Sequence, residues 1–489
     1  MKRLEDFPDA ALRMFARPAP PPPEAIRSVF FIGICGTGMG SLATLLQEAG
    51  YAVRGSDEKA YPPMSTRLRA LGIEVLEGFD AGHLDPAPDL VVVGNAATPL
   101  HAEAAYAREH GLVQLSFPET LAHVFLSRRR SLVVAGTHGK TTTTGMLAHV
   151  LMDAGRDPGF LVGGVMTGHD TSARVGTGPA FVVEGDEYDA AYFDKRPKFL
   201  HYRPQAAIVT SMEFDHADIY EGPDDYREAF EQFAATVPAD GLIALYGDDP
   251  EVRALAGHTS ARVRFYGIEG NDDDVCARDI RRGEGGQRFT LVVAGAPLAE
   301  VFLPMSGRHN LRNALGVATL ALNEGLSPDE VARGLGTFRG MKRRQEVRGE
   351  AGGVLVVDDF AHHPTAVRET ILAVAERWPE RRLVAVFEPR SNSSRRKVFE
   401  QPYSEAFAGA ALAFLSAPPL RHNDTLEDFM DADAVAEAAT RAGTPTRLFP
   451  DADTLLPALL DAVRPGDVVL IMSNGAFGGL HDRLLQALG

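Results

Sequence analysis

SLVVAGTHGKTTTT, residues 131–144, passes from an apolar run through a glycine-containing loop into a stretch that stays helical in pattern as far as Leu151. This order decides the fold class, because a strand feeding such a loop and then a helix is the unit of a parallel sheet with crossover helices. In GTHGKTT, Gly136, Thr137, His138 and Gly139 offer a nest of backbone amides for phosphate, and Lys140 can reach the β and γ oxygens. Thr141 is placed to ligate Mg2+, and Thr142 completes the loop. The loop is shorter than the general GxxxxGK(S/T) form. A chance glycine turn is the competing reading, and the strand and helix on either side argue against it.

Magnesium that travels with phosphates takes few protein ligands. Glu184 in VVEGDEYD follows the next apolar run, FVVEGDE, and His216 in MEFDHADIY follows AAIVTS. In a parallel sheet both strand ends face the phosphate loop, so both residues are expected to hold metal. The plainer readings are a solvated acidic loop for Glu184, Asp186 and Glu187, and a partner of Asp215 or Asp218 for His216.

Upstream, VFFIGI, YAVRGSD and LVVVGNA alternate with helix-length segments; downstream, GVLVVDDFA, RLVAVFEP, ALAFLS and DVVLIMSNG do the same, and 262–302 is β-rich. The expectation is an α/β protein of three domains. Residues 1–127 form a Rossmann-like unit with a proline-rich lead-in at 18–23, to which no chemistry is assigned. Residues 128–337 form a phosphate-loop ATPase with a mostly parallel sheet, and 338–489 a second Rossmann-like unit.

Gly33, Gly36 and Gly38 in GICGTGMGS lie between a strand and a helix, where amides can approach a pyrophosphate, with Asp57 closing the second strand. Alone, this motif fits NAD binding or a plain tight turn. A nicotinamide enzyme has no need of the ATP machinery that follows, whereas a UDP-sugar also offers a pyrophosphate and a ribose, which Asp57 could serve.

A chain of 489 residues with 45% hydrophobic and 24% charged residues has the composition of a globular protein. Its net charge of −17 argues against a nucleic-acid binder. Cys35 and Cys276 lack disulfide or zinc spacing, and the absence of a membrane-length apolar run and the acidic N-terminus lead to a cytoplasmic expectation.

GTHGKTT, EGDE, DHADIY, GRHNLRNA and DDFAHHPTAV, in this order, resemble the Mur ligase family across about residues 28–480. The resemblance implies a UDP-binding domain, a central ATPase and a C-terminal Rossmann-like domain, using ATP and Mg2+. It implies that Lys140 and Thr141 handle phosphates and magnesium and that Glu184 and His216 hold metal. His309, Asn310 and Asn313 would then surround the adenine. In FRGMKRRQE, with Phe338, Gly340 and Arg344, it points to Arg343 at the nucleotide phosphates, against a solvated basic patch. It turns Asp359 toward the ATP ribose and His362 and His363 toward the incoming amine, where no third metal ligand is evident in the sequence. Several family members carry a carbamylated lysine about fifteen residues past the counterpart of His216; this chain has Phe230 and Glu231 there, so no carbamate is expected.

The implied reaction activates a carboxylate of UDP-N-acetylmuramate as an acyl phosphate and passes it to an amine, with Lys140, His216, Arg343 and His362 as the catalytic set. EGDEYDAAYFDKRPKFLHYRP and EPRSN resemble the branch that adds a murein tripeptide; the alternative amine is L-alanine. Arg390 in EPRSN could pair with a substrate carboxylate, or simply lie exposed. A non-ligating ATP-hydrolysing regulator is disfavoured by the separate UDP-type turn. The oligomeric state and the resting domain arrangement are not readable.

Overall fold

The computed structural model describes residues 14–60, 64–216, 219–268, 274–419 and 429–489; the N-terminal decapeptide and Asp218 lie outside this set. Three large sheets follow one another along the chain. The first is wholly parallel, in the order Glu74–Glu77, Ala52–Asp57, Ser28–Ile32, Leu90–Val93, Gln114–Ser116. Its direction of winding reverses between Ser28–Ile32 and Leu90–Val93, and a doubly wound sheet opens its ligand crevice at the carboxyl end of such a switch. The turn from Gly33 to Gly38 lies there.

The central sheet has ten strands in the order Ala296–Leu303, Gly286–Val293, Val275–Gly283, Arg262–Gly267, Leu242–Tyr246, Ala206–Val209, Arg130–Ala135, Ala180–Gly185, Gly159–Leu161, Ala173–Arg174. Pairing is parallel from Val275–Gly283 to Gly159–Leu161. Both edges are antiparallel, so the sheet is mostly parallel, as expected, but mixed. The cause is local. Two-residue connections at Glu284-Gly285 and Ala294-Gly295, with left-handed backbone at Gly285, Ala294 and Gly295, fold the β-rich segment into a meander instead of a crossover.

The third sheet runs Glu346–Ala351, Val354–Asp359, Asp467–Ser473, Arg382–Glu388, Leu412–Ser416, Thr446–Phe449, parallel except for its first pair. Glu346–Ala351 of that first hairpin and Thr446–Phe449 at the other edge are added to the four strands read from the sequence. Across the sheets the apolar runs are covered on both faces, as parallel strands require; Leu132, Val133, Val134 and Ala135 are all fully buried.

Two features position the site. Arg130–Ala135, Ala180–Gly185 and Ala206–Val209 are neighbours and parallel, so the loops after them open at one end of the sheet. Helix Arg308–Asn323 packs its buried Leu311, Leu315 and Ala318 face into the core beside helix Lys140–Asp153, which carries its first turn to the phosphate loop.

Candidate active site

The loop 136–142 is hemmed in on all sides. Gly136 has φ +132°, and a Cβ there would lie 2.2 Å from Thr210 Oγ1; Gly139 has φ +79°, and its Cβ would lie 2.6 Å from Asn313 Oδ1. Only glycine fits either place. Lys140 Nζ turns back to the Gly136 carbonyl at 2.6 Å and forks onto the Glu187 carboxylate at 2.8 and 3.0 Å. Burial by itself lowers the pKa of an ammonium, but Glu187, Asp186 and Glu184 raise that of Lys140 on balance.

Glu187 is 1% exposed at its side chain and also lies 3.2 Å from His216 Nε2. Burial raises its pKa, and Lys140 and His216 outweigh this, holding the carboxyl down to about 2. Conversely, burial lowers His216 while Glu187 lifts it, to about 9. Of the two plainer partners, Asp215 meets His216 through the backbone, its Oδ1 accepting from the His216 amide at 2.7 Å, and Asp218 is outside the described residues. Its backbone is left-handed, φ +54°.

Glu184 accepts from Thr141 Oγ1 at 2.8 Å and from the Gly163 amide at 2.7 Å. Burial and the neighbouring Asp186 raise its pKa. A hydroxyl and a carboxylate already in contact beside the loop are an oxygen donor pair that suits Mg2+.

A cavity between the central and C-terminal units adjoins this loop, lined by His138, Gly139, Thr141, Thr142, His309, Asn310, Asn313, Arg344, Gln345 and Asp359, among others. Burial pushes His309 down to about 4, so its ring is neutral, 3.2 Å from Gln345 Nε2. Asn310 Nδ2 donates to the Ser306 carbonyl, just ahead of its helix, at 2.8 Å. Asn313 Oδ1 is buried without a hydrogen-bond partner, an acceptor placed for an incoming donor such as a nucleotide base amine. The residues thus fit a nucleotide with its metal.

The two neighbouring arginines divide differently from the expectation. Arg343 donates to the Ser473 and Gly475 carbonyls at 2.8 and 2.7 Å and lies 3.4 Å from Asp358, tying strands of the C-terminal sheet together. Arg344 lines the cavity, 3.4 Å from Thr141 Oγ1. Left-handed backbone at Arg343 and Gln345, φ +59° and +50°, turns the second arginine inward. Asp359 is buried and accepts from the Gln345 and Ala361 amides at 2.8 and 2.7 Å.

On the amine side, His362 Nδ1 lies 3.1 Å from the Phe360 carbonyl, and Tyr403 donates to the His362 carbonyl. His363 caps helix Pro364–Arg377 and stands with its ring centroid 4.6 Å from that of His138. Glu213 joins them, 2.7 Å from His138 and 3.8 Å from His363, so His363 meets two donors from the central unit, and His362 is not part of this trio. Arg390 is exposed and packs across Gly475. In the N-terminal unit, Asp57 accepts from the Cys35 amide at 2.8 Å, bracing the glycine turn. Phe230 is fully buried against Phe199 and Tyr226, so its position on helix Pro223–Thr236 is part of the core.

Glu187, Arg344, Glu213 and Gln345 are site residues that sequence reasoning did not select. All four lie within the quoted segments EGDEYD, MEFDHADIY and FRGMKRRQE, but nothing in the sequence distinguishes Glu213 or Gln345 from their neighbours there.

Compared with known proteins, the chain matches the Mur ligase family catalytic domain over residues 28–129, the Mur ligase middle domain over 134–321 and the Mur ligase glutamate ligase domain over 343–475. It is 38% identical over 465 residues to the Escherichia coli UDP-N-acetylmuramate–L-alanyl-gamma-D-glutamyl-meso-2,6-diaminoheptandioate ligase, covering 94% of this chain and 98% of that protein. A UDP-N-acetylmuramate–L-alanine ligase of Chlorobaculum parvum is 37% identical, with 94% and 95% covered. The crystal structure of a murein peptide ligase from Psychrobacter arcticus superposes with a TM-score of 0.72 at 36% identity, covering 95% of this chain and 99% of that one. Three domain matches in order, around one ATP-dependent centre, and relatives alike from end to end leave one conclusion: the chain belongs to the Mur ligase family of ADP-forming peptide ligases.

Proposed function

We propose that this protein joins L-alanyl-γ-D-glutamyl-meso-diaminopimelate to UDP-N-acetylmuramate at the expense of ATP, in cytoplasmic recycling of peptidoglycan. The observation that carries the reading is the meeting of Lys140, Thr141, Glu184, Glu187 and His216 at one end of the central sheet, where Thr141 also lines the cavity shared with the C-terminal unit. The tripeptide as amine is supported by the tripeptide-adding relatives and by the segment 184–204 quoted above.

When bound, ATP supplies the phosphoryl group that activates the muramyl carboxylate, and Mg2+ neutralises the charge on its phosphates. The residues divide the remaining work. Loop 136–142 and Arg344 would hold phosphates; Thr141 and Glu184 would hold the metal, joined by His216 once its ring gives up the proton it shares with Glu187; His309, Asn310 and Asn313 would enclose the base. Lys140 is the cation nearest the transferring group. Glu187 keeps it charged and aimed. Asp359 braces the turn that presents Arg344, and Arg343 holds that turn to the C-terminal sheet. Gly33, Gly36 and Gly38 receive the UDP pyrophosphate, with Asp57 fixing the turn, while His362, His363 and Arg390 face the amine. Water is excluded as the C-terminal unit closes on the central one. Domain limits at 127/128 and 337/338 complete the reading.

A second amine, L-alanine, is favoured by one observation, the 37% identity to an L-alanine ligase over 463 residues. ADP release by the purified protein with UDP-N-acetylmuramate and each amine separates the two. The expected result is a higher kcat/KM for the tripeptide; equal or better use of L-alanine replaces the proposal.

A further inference from the structure

Among the described residues, two trios have ligand atoms all within 4.8 Å of one another: Glu119, Asp194 and His201, and His138, Glu213 and His363. Geometry alone does not separate them, but their counter-charges do. In the first, Arg17 forks onto Glu119 at 2.8 and 2.9 Å, and Arg196 binds Asp194 at 2.7 and 3.0 Å. A cation entering there must displace two guanidinium groups. In the second, the named neighbours of Glu213 are His138, His363 and the Thr365 hydroxyl, the last at 2.6 Å. Buried Asp215 adds a second negative charge near His363.

We propose that His138, Glu213 and His363 form a binding site for a borderline-soft divalent ion, Zn2+ foremost, separate from the Mg2+ that accompanies ATP. Two imidazoles and one carboxylate with a fourth position open form a zinc donor set, whereas Mg2+ takes oxygen ligands in octahedral array. Around a tetrahedral ion with bonds of about 2.0–2.1 Å, ligand atoms sit about 3.4 Å apart. The observed separations from Glu213 Oε2, 2.7 Å to His138 Nε2 and 3.8 Å to His363 Nδ1, bracket that value. His363 Nδ1 presently accepts only a 3.3 Å contact from the Thr365 amide, which the ion would replace.

The three ligands come from the phosphate loop, from the segment after Ala206–Val209 and from the N-cap of helix Pro364–Arg377. An ion there pins the C-terminal unit to the phosphate loop, so occupancy of the site is coupled to domain closure. The inference is independent of which amine the enzyme uses.

The test takes the metal-free full-length protein without nucleotide and titrates Zn2+ against a chromophoric chelator, with millimolar Mg2+ present throughout. One Zn2+ per chain is expected, with binding weakened at least tenfold in Glu213→Gln and in His138→Ala and unchanged in Asp194→Asn. Zn2+ should raise Tm in the parent and in Asp194→Asn only. Co2+ added to the parent should give the intense visible bands of a four-coordinate site, a readout that needs no variant to fold. Absence of Zn2+ binding, equal binding by Glu213→Gln and His138→Ala, loss in Asp194→Asn, displacement by Mg2+ or a six-coordinate Co2+ spectrum each overturns the site and leaves a purely hydrogen-bonded latch.

Discussion

The turn after Ser28–Ile32 and the loop after Arg130–Ala135 have the same outline, a strand, a glycine turn and a helix, yet they are built in opposite ways. Around the first, a Cβ on Gly33 would meet nothing within 4 Å and one on Gly36 would find its nearest atom at 3.6 Å. The Asp57 carboxylate beside it is spent on the Cys35 amide. Around the second, Gly136 and Gly139 are in contact with neighbours on every added atom, and a lysine, two buried glutamates and a histidine are already paired. One site relies on backbone amides at a helix start, which suits a pyrophosphate that is only bound. The other fixes charge where charge must be stabilised during transfer, and such charges act without reorganising.

The comparison is tested hardest at Lys140. Lys140→Ala should lower kcat by about 100-fold or more while leaving the circular dichroism spectrum and UDP-N-acetylmuramate binding as they are. Near-normal turnover by the folded variant would place the two turns on the same footing.

Packing is the next contrast. Gly139→Ala forces a Cβ to 2.6 Å from Asn313 Oδ1 on a left-handed backbone and should cost about 2 kcal/mol or more in urea unfolding. Gly36→Ala, at φ −60° with ordinary clearance, should stay within about 0.5 kcal/mol. Equal costs would show that the crowding of the phosphate loop carries no stability.

The arginines show both how far the sequence could be read and where it stopped. Strand runs buried on both faces gave away all three α/β units, because their apolar content does not depend on context. The meander edge was visible as β-rich sequence but not as antiparallel pairing, which rests on two short turns. Glu187 sits three residues past Glu184 in a loop, where only its approach to Lys140 and His216 distinguishes it from a solvated carboxylate. Arg343 was chosen over Arg344 because adjacent residues look alike until the left-handed backbone at Arg343 is known. Arg344→Ala should therefore raise the KM for ATP or lower kcat by about tenfold. Arg343→Ala should chiefly lower Tm, since its guanidinium caps the Ser473 and Gly475 carbonyls. The reverse outcome would return the phosphate role to Arg343.

The paired charges also predict a pH response confined to the crowded loop. The His216 pKa of about 9 in the folded chain lies above the ordinary 6.5, so the stabilisation is complete below pH 6.5 and is lost as pH rises through 9. Glu187, held at about 2, contributes fully above about pH 4.5 and loses its contribution as pH falls toward 2. The two belong to one ion pair and are not summed. Tm should decline by a few degrees between pH 6.5 and 9, and His216→Gln should flatten that limb. A parent curve already flat there would mean that His216 is neutral in the folded protein.

The smallest effect is expected where charge is exposed. Arg390, on the loop after Arg382–Glu388, is open to solvent, in contrast to the buried Lys140. A guanidinium in that setting is screened, and an exposed pair typically contributes about 0–1 kcal/mol. The tripeptide carries carboxylates beyond the one it shares with L-alanine, so an arginine at the amine side acts on the ratio of their kcat/KM values and not on chemistry common to both. Arg390→Ala should narrow the preference for tripeptide by about fivefold at low salt, corresponding to about 1 kcal/mol. Raising the salt concentration to 0.5 M, where the Debye length falls to about 4–5 Å, should narrow the parent's preference toward that of the variant. If salt has no effect while the substitution costs tenfold or more, Arg390 is buried by the substrate as domains close, and the amine side is then as preorganised as the phosphate loop.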